Sequence, residues 1–249
     1  MIKFFRKIRQ NLLSDGKTGK YLKYALGEII LVVIGILIAL SINNWNQNRI
    51  RTTEERNILE DLKIGLEKDK ADLVYNANRI NSSMSSADKV IYALENDLPY
   101  RDSISNYLGN LMLPVMFVYS TSAFETLKSK GIDIIKNSEL RNQIIDVYDS
   151  QYTFFIKQEG VVLEEGERGV KHVFSTRFEE SYVYDLEKEN YEPRLIPLNY
   201  NSLKADQEFK YFIKSYKNRL NILLNFHYNN RLIKSVETLI ESINEEIEP

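Results

Sequence analysis

The sequence predicts an all-α protein in which one N-terminal transmembrane helix continues into a long-helix antiparallel bundle. Three observations carry that expectation. One stretch, Ala25 to Trp45, is apolar enough to dissolve in lipid. Glycine (10) and proline (5) are scarce among the 249 residues. The prolines at 99, 114, 193, 197 and 249 leave long intervals through which a helix can run without losing a donor. After Trp45, apolar residues recur at helical spacing for most of the chain.

The apolar stretch comes first. Its 21 residues span about 31 Å as a helix, the hydrocarbon thickness of a bilayer. Ile29 to Leu40 has no polar stripe, which a soluble helix normally keeps. Tyr21 and Tyr24 at one end and Trp45 at the other suit the headgroup region. Ala39 and Ser41 are small residues that a signal peptidase could accept. The long basic leader, the aromatic belts and the helical continuation favour a retained anchor. Before it, Lys3, Arg6, Lys7, Arg9, Lys17, Lys20 and Lys23 face Asp15 alone, while the whole chain is net −2. That asymmetry orients the segment. Residues 1–24 read as a cytoplasmic basic amphipathic segment, 25–45 as the transmembrane helix, and 46–249 as an extracytoplasmic helical domain. Glu28, about one turn inside the boundary, either snorkels to the headgroups or meets a partner's membrane helix. Gly35 and Ala39 form a small-xxx-small pair, a second helix-contact candidate.

The opening "MIKFFRKIRQNLL" is amphipathic. Phe4, Phe5, Ile8 and Leu12 share one arc, and Lys3, Arg6, Lys7 and Gln10 another. Such a helix lies in an anionic leaflet, gaining about 1 kcal/mol per basic group. With Arg9 and the aromatic belts, the membrane-interface set is Lys3, Phe4, Phe5, Arg6, Lys7, Ile8, Arg9, Tyr21, Tyr24 and Trp45. "SDGKTG" (14–19) reads as the turn into the span. "MIKFFRKIRQNLLS" with "KYLKYALGEIILVVIGILIALSINNWN" resembles the opening of an uncharacterised membrane-protein family of Bacteroidota-type Gram-negative bacteria, a domain of unknown function. The resemblance is close over residues 1–50, and "STSAFETLKSKGIDIIKNSELRNQIIDVY" (120–148) resembles the family's second recurrent stretch. It implies a single-pass inner-membrane anchor with a periplasmic helical domain, and brings no catalytic residue and no substrate.

Beyond Trp45, Leu59, Leu62, Leu66 and Leu73 lie on one heptad seam. Ala77, Ile80, Met84, Ala87, Ile91, Leu94 and Leu98 lie on another, after an offset that reads as a stutter. "ENDLPYRD" breaks this helix. "LGNLMLPVMFVYS" is apolar but too short to span a bilayer, and reads as a buried corner or a groove lining. "SAFE" is a capping box from Ser122 to Glu125, opening a helix that Gly131 stops. Ser138 then caps a helix whose inner face is Leu140, Ile144, Val147, Gln151 and Phe155. The helix N-termini here carry an alternative reading as anion sites. Within 157–202, Gly160, Gly166 and Gly169 weaken any helix, and "YVYDLEKENYEPRLIPLNYNS" (182–202) with its two prolines reads as a tyrosine-rich loop and a natural place for binding. A last long helix starts near Leu203. One of its stripes is Phe209, Ile213, Tyr216, Leu220, Leu223 and His227; a second is Ile233, Val236, Ile240, Ile243 and Ile247.

Chemistry-bearing patterns are missing. There is no cysteine, and the two histidines, His172 and His227, are far apart, so neither a zinc site nor a cofactor is expected. His227 sits on an apolar stripe and reads as a hydrogen-bonded core residue. No GxGxxG, P-loop or GxSxG is present. "EEGER" (164–168) reads as a solvated face. Paired acids are spatial and escape sequence reading. Basic and aromatic residues interleave only in residues 1–13, where lipid explains them, so nucleic acid is not an expected partner. The expected partners are membrane lipid and either another protein or a second copy. Two roles remain: an interaction or scaffold protein, or a ligand-binding sensor signalling through a partner. No residue set points to an enzyme. A cavity lined by Met112, Met116, Phe117 and Tyr119 would favour the sensor, and a filled core with an exposed apolar patch the scaffold.

Overall fold

The computed structural model describes residues 18–181 and 193–248. The chain divides into two compact units, Met1–Glu55 and Arg56–Pro249. Its helices are α1 (Thr18–Glu95), α2 (Asp102–Leu111), α3 (Ser122–Lys130), α4 (Ser138–Ile145), α5 (Tyr152–His172), α6 (Tyr200–Ala205), α7 (Gln207–Ile222) and α8 (Ile233–Ile247). Two π-wound runs, Asp146–Gln151 and Leu223–Leu232, join α4 to α5 and α7 to α8. Among the described residues no strand forms, and β pairing is limited to isolated bridges such as Phe178 with Pro197. The protein is an all-α bundle, as the sequence predicts.

In the first unit α1 begins at Thr18, so the predicted turn at 14–19 is already helical at its last two residues, and its first four lie outside the described ones. The apolar side chains from Ile29 to Ile42 all face outward, Leu31 being 69% exposed. An apolar surface of this extent suits lipid rather than water. Among the described residues α1 is the one helix long and apolar enough to cross a membrane, with a window of mean hydropathy 2.7.

In the second unit α1 presents a single unbroken seam. Leu59, Leu66, Leu73, Ile80, Ala87 and Leu94 alternate with Leu62, Asp69, Asn76, Ser83 and Val90, all buried. The stutter expected after Leu73 does not occur. Polar residues occupy three successive seam positions, so an apolar count loses the register there. Met84 and Ile91 are only half-buried, and Leu98 lies beyond the helix end. Asp97 adopts a left-handed φ of 53°, which lets the Leu98 amide close on the Ala93 carbonyl at 3.0 Å. Pro99 forbids continuation.

Several starts and stops are displaced from prediction. Gly131, at φ 98°, does end α3. At the front of that helix the predicted capping box is absent: Ser122 is already helical, Thr121 makes no side-chain cap, and Glu125 pairs with Lys128 at 2.6 Å. The cap of α4 is Asn137 rather than Ser138. Its Oδ1 accepts from the amides of Glu139 and Leu140 at 3.1 and 3.2 Å, because an asparagine one residue earlier reaches both. The last helix also starts later. Asp206 stops α6, caps α7 through the Phe209 amide at 3.0 Å, and accepts the Arg177 guanidinium at 2.6 Å.

The largest departure is α5, which runs to His172 through three glycines read as breakers. Gly166 and Gly169 are where α7 comes closest: a Cβ on Gly169 would lie 2.0 Å from the Phe212 ring, and one on Gly166 3.2 Å from the Tyr216 hydroxyl. These glycines permit close packing rather than a turn. "EEGER" is part of this helix. Glu164 pairs with Arg168 on the solvated face, while Glu165 reaches across to Arg219 at 2.6 Å. Of the loop expected over 182–202, residues 182–192 lie outside the described ones, and Tyr200 to Ser202 already belong to α6. α7 and α8 run antiparallel to α1, as Lys214 with Glu95 (2.5 Å) and Lys70 with Glu237 (2.8 Å) show.

Two glycine substitutions test this packing by urea or thermal unfolding of the full chain. Gly109→Ala would push Cβ to 2.1 Å from the Pro193 carbonyl, a backbone contact. It is expected to destabilise by about 1–3 kcal/mol. Gly160→Ala meets nothing within 4 Å in mid-helix. It is expected to stabilise by about 0.5–1 kcal/mol.

Candidate functional site

The segment between α2 and α3 is extended, so its backbone amides have no helical partners and must find others. Four side chains supply them. Asp69 accepts from the Ser120 amide at 2.7 Å, Asp72 from Val118 at 3.2 Å, and Glu159 from Phe117 at 2.8 Å. Asn76 donates to the Met116 carbonyl at 3.2 Å. Two turns along, Ser83 donates to the Asn110 carbonyl at 3.0 Å, and the Asn110 side-chain amide returns bonds to Ser82 and Ser86. The strap therefore lies antiparallel along the polar seam of α1.

Two of these acids are also paired with buried tyrosines. Tyr152 Oη donates to Asp69 Oδ2 at 2.8 Å, and Tyr228 Oη to Glu159 Oε1 at 2.6 Å. Burial raises both carboxyls above their ordinary range, opposed by the amide and phenol bonds they accept. Burial likewise pushes the Tyr152 and Tyr228 phenols up, so both remain donors. Phe117 sits between the pairs, its ring 5.2 Å from Tyr152 and 5.6 Å from Phe155. Met112 and Phe117 are buried whereas Met116 is 64% exposed, so the four residues proposed as a cavity lining are split between core and solvent. The centre of the bundle is filled.

An open feature lies elsewhere, where the two π runs meet. A cleft of about 330 Å³ is lined by Gln143, Asp146 and Gln151 on one side and by Arg231, Lys234, Ser235 and Thr238 on the other. Gln151 Nε2 donates to Asp146 at 2.5 Å, which orients its amide. The Oε1 atoms of Gln151 and Gln143 are buried and accept no bond. The Arg231 guanidinium rests 4.8 Å over the Phe154 ring. His227 adjoins this corner, between Phe154 and Phe226 at 5.7 and 5.0 Å. It is buried as expected, but its Nδ1 is without a hydrogen bond, a correction to the hydrogen-bonded reading. Burial, then the Arg231 charge, holds its pKa below the ordinary value.

The π runs also explain two sequence misreadings. A π turn advances the inner face by a residue, so Tyr148 and Tyr152 take the core positions while Gln151 turns to the cleft. The same advance at Leu223–Leu232 separates the two apolar stripes of the C-terminal helices, with Tyr228 and Leu232 bridging them. Asp69 and Asn76 had a signal in their heptad positions. Glu159, Arg231 and Lys234 had none.

Of the predicted interface residues, Lys3, Phe4, Phe5, Arg6, Lys7, Ile8 and Arg9 lie outside the described ones. Tyr21 and Tyr24 fall on α1, and Trp45 is 65% exposed with the Arg49 guanidinium 5.6 Å over its ring. Glu28 is half-exposed on the same helix, Ala39 is exposed, and a Cβ on Gly35 would meet open space. Asn137 fills the N-terminus of α4 and donates to Glu246 at 2.7 Å, so an acid rather than an anion site stands there. Among the described residues no group of three or more His, Asp or Glu side chains could hold a metal ion.

A family of unknown function, DUF6090, matches residues 28–176. The chain belongs to the DUF6090 family. The match begins inside the apolar stretch and takes in the strap, α3, α4 and α5, with Asp69, Asp72, Asn76 and Glu159. The resemblance read from residues 1–50 is thus placed further along the chain, and residues 1–27 fall before the match. No curated protein and no solved structure matches the chain.

The raised carboxyls set a pH dependence. A group that binds its proton more tightly when folded stabilises the fold below its unfolded pKa, about 4, and that contribution is lost as pH rises through the folded value. Glu159→Gln keeps an acceptor for Phe117 and offers a donor to Tyr228. Unfolding measured from pH 4 upward should therefore show wild type losing stability relative to this variant. A stability difference independent of pH would contradict the assignment.

Proposed function

We propose that the chain is a membrane-anchored helical interaction protein. Residues 25–45 cross the inner membrane once, with the basic residues 1–24 on the cytoplasmic side and the domain from 46 onward in the periplasm. The exposed apolar face of α1 and the basic excess before it support this placement. The domain acts by contact with another protein or a second copy rather than by catalysis. The buried acids support that reading, since Asp69 and Glu159 each accept both a backbone amide and a phenol.

The observation that carries the proposal is an unpaired apolar face on α5, the end of α7 and the start of the second π run. Ile222 and Phe226, one turn apart, are 56% and 61% exposed. Val161 is exposed on α5, which packs beside them through the Glu165–Arg219 and Phe154–His227 contacts. Clustered exposed residues of this kind mark contact surfaces more than scattered ones do. The cleft at the π runs favours a second reading, a ligand-binding sensor.

A photo-crosslinking residue at Phe226 or Ile222, in the full chain in native membranes, should give a discrete adduct that the exposed control position Tyr211 does not. Phe226→Ser should abolish an adduct formed from Ile222 while changing stability by less than about 0.5 kcal/mol. Crosslinking to lipid alone, or equally from all three positions, would overturn the interaction role.

A further inference from the structure

The runs α4–α5 and α7–α8 pack antiparallel, and the separation between them is not uniform. Near one end Gly166 and Gly169 admit the rings of Tyr216 and Phe212 against the backbone. Toward the other, Asn137 holds Glu246. Between these points both runs are π-wound, at Asp146–Gln151 and Leu223–Leu232. A π turn carries an extra residue and takes side chains out of ridge-and-groove register, so the helices part there. The space they leave is the cleft of about 330 Å³. That is the low end of ligand-pocket volumes, suited to a small molecule.

The two walls differ in kind. The α4 side offers the Asp146 carboxylate, while the unpartnered Oε1 atoms of Gln143 and Gln151 are buried rather than open to the cleft. The Gln151 assignment follows from chemistry, because its Nε2 is the atom facing the Asp146 carboxylate. The α8 side offers cationic donors, Arg231 and Lys234, with the Ser235 and Thr238 hydroxyls beside them. Among the described residues neither cation has an ion pair, and Arg231 is steadied by the Phe154 ring. A carboxylate thus faces cations across a gap that no salt bridge closes.

We infer that this cleft binds a small zwitterion carrying both a carboxylate and an ammonium group, the size of a free amino acid or a dipeptide. Its carboxylate lies against Arg231 and Lys234, and its ammonium against Asp146. The site does not depend on the apolar face of α5 and α7, so either assignment can fail alone.

The test is calorimetric titration of the full chain in nanodiscs with the twenty L-amino acids, pooled by side-chain class, and with L-alanyl-L-alanine. At least one pool is expected to bind, and its active member to lose binding both as the methyl ester and as the N-acetyl derivative. Arg231→Gln and Asp146→Asn should each weaken it by about tenfold or more, the loss of one charge-assisted bond. Arg231 and Asp146 are exposed, and an unchanged helical signal and melting temperature would show the variants folded. Absence of binding at millimolar probe would overturn the inference. So would affinity untouched by both substitutions, or acetate and phosphate binding as well as the zwitterion.

Discussion

Everything in the second unit depends on how the extended segment between α2 and α3 satisfies its backbone. Ten residues outside any helix or strand, laid alongside a helix, would bury amides and carbonyls with no partners, at about 1–3 kcal/mol for each group left unmet. The helix answers with polar side chains set into its own hydrophobic seam. Asp69, Asn76 and Ser83, a heptad apart, each reach a strap or α2 main-chain group, and Asp72 and Glu159 add two more. Residues that would weaken an ordinary coiled-coil seam are therefore what keeps this one in register.

That arrangement dictates the aromatic core. Once the strap is fastened, Phe117 is driven inward, and Tyr119, Tyr148, Tyr152, Phe155 and Tyr228 close around it, with ring centres from 4.6 to 5.9 Å. Tyr152 and Tyr228 bring their hydroxyls to the strap-binding acids, whereas the Tyr148 hydroxyl is buried without a partner. The carboxyls thus serve backbone and side chain at once. Bringing Tyr148 and Tyr152 inward requires the helix to advance by one residue, which the π run at 146–151 does. The cost of that advance is borne at the surface, where the facing helices separate into a polar cleft. Core packing and cleft are two results of one helical irregularity.

The first unit follows a separate logic. Among the described residues its side chains from Ile29 to Ile42 have no protein against them, and an apolar surface of that extent suits lipid better than water. The family match spans this stretch and the strap-binding residues together.

Composition and periodicity alone determined that the chain is helical, where its apolar segment lies, where α1 and α3 end, and which face of α1 is buried as far as Leu73. Those properties are local: a run of apolar residues, a proline or a glycine acts through its immediate neighbours. Tertiary structure alone decided the rest. Gly166 and Gly169 read as breakers because a missing side chain weakens a helix in isolation, yet Tyr216 and Phe212 from α7 fill the space and make the helix worth keeping. Asp69 and Asn76 read as a break in the seam because their partners lie forty residues or more along the chain. Gln143, Asp146, Arg231 and Lys234 carry no pattern in the sequence, since what relates them is the packing of two segments far apart in the chain.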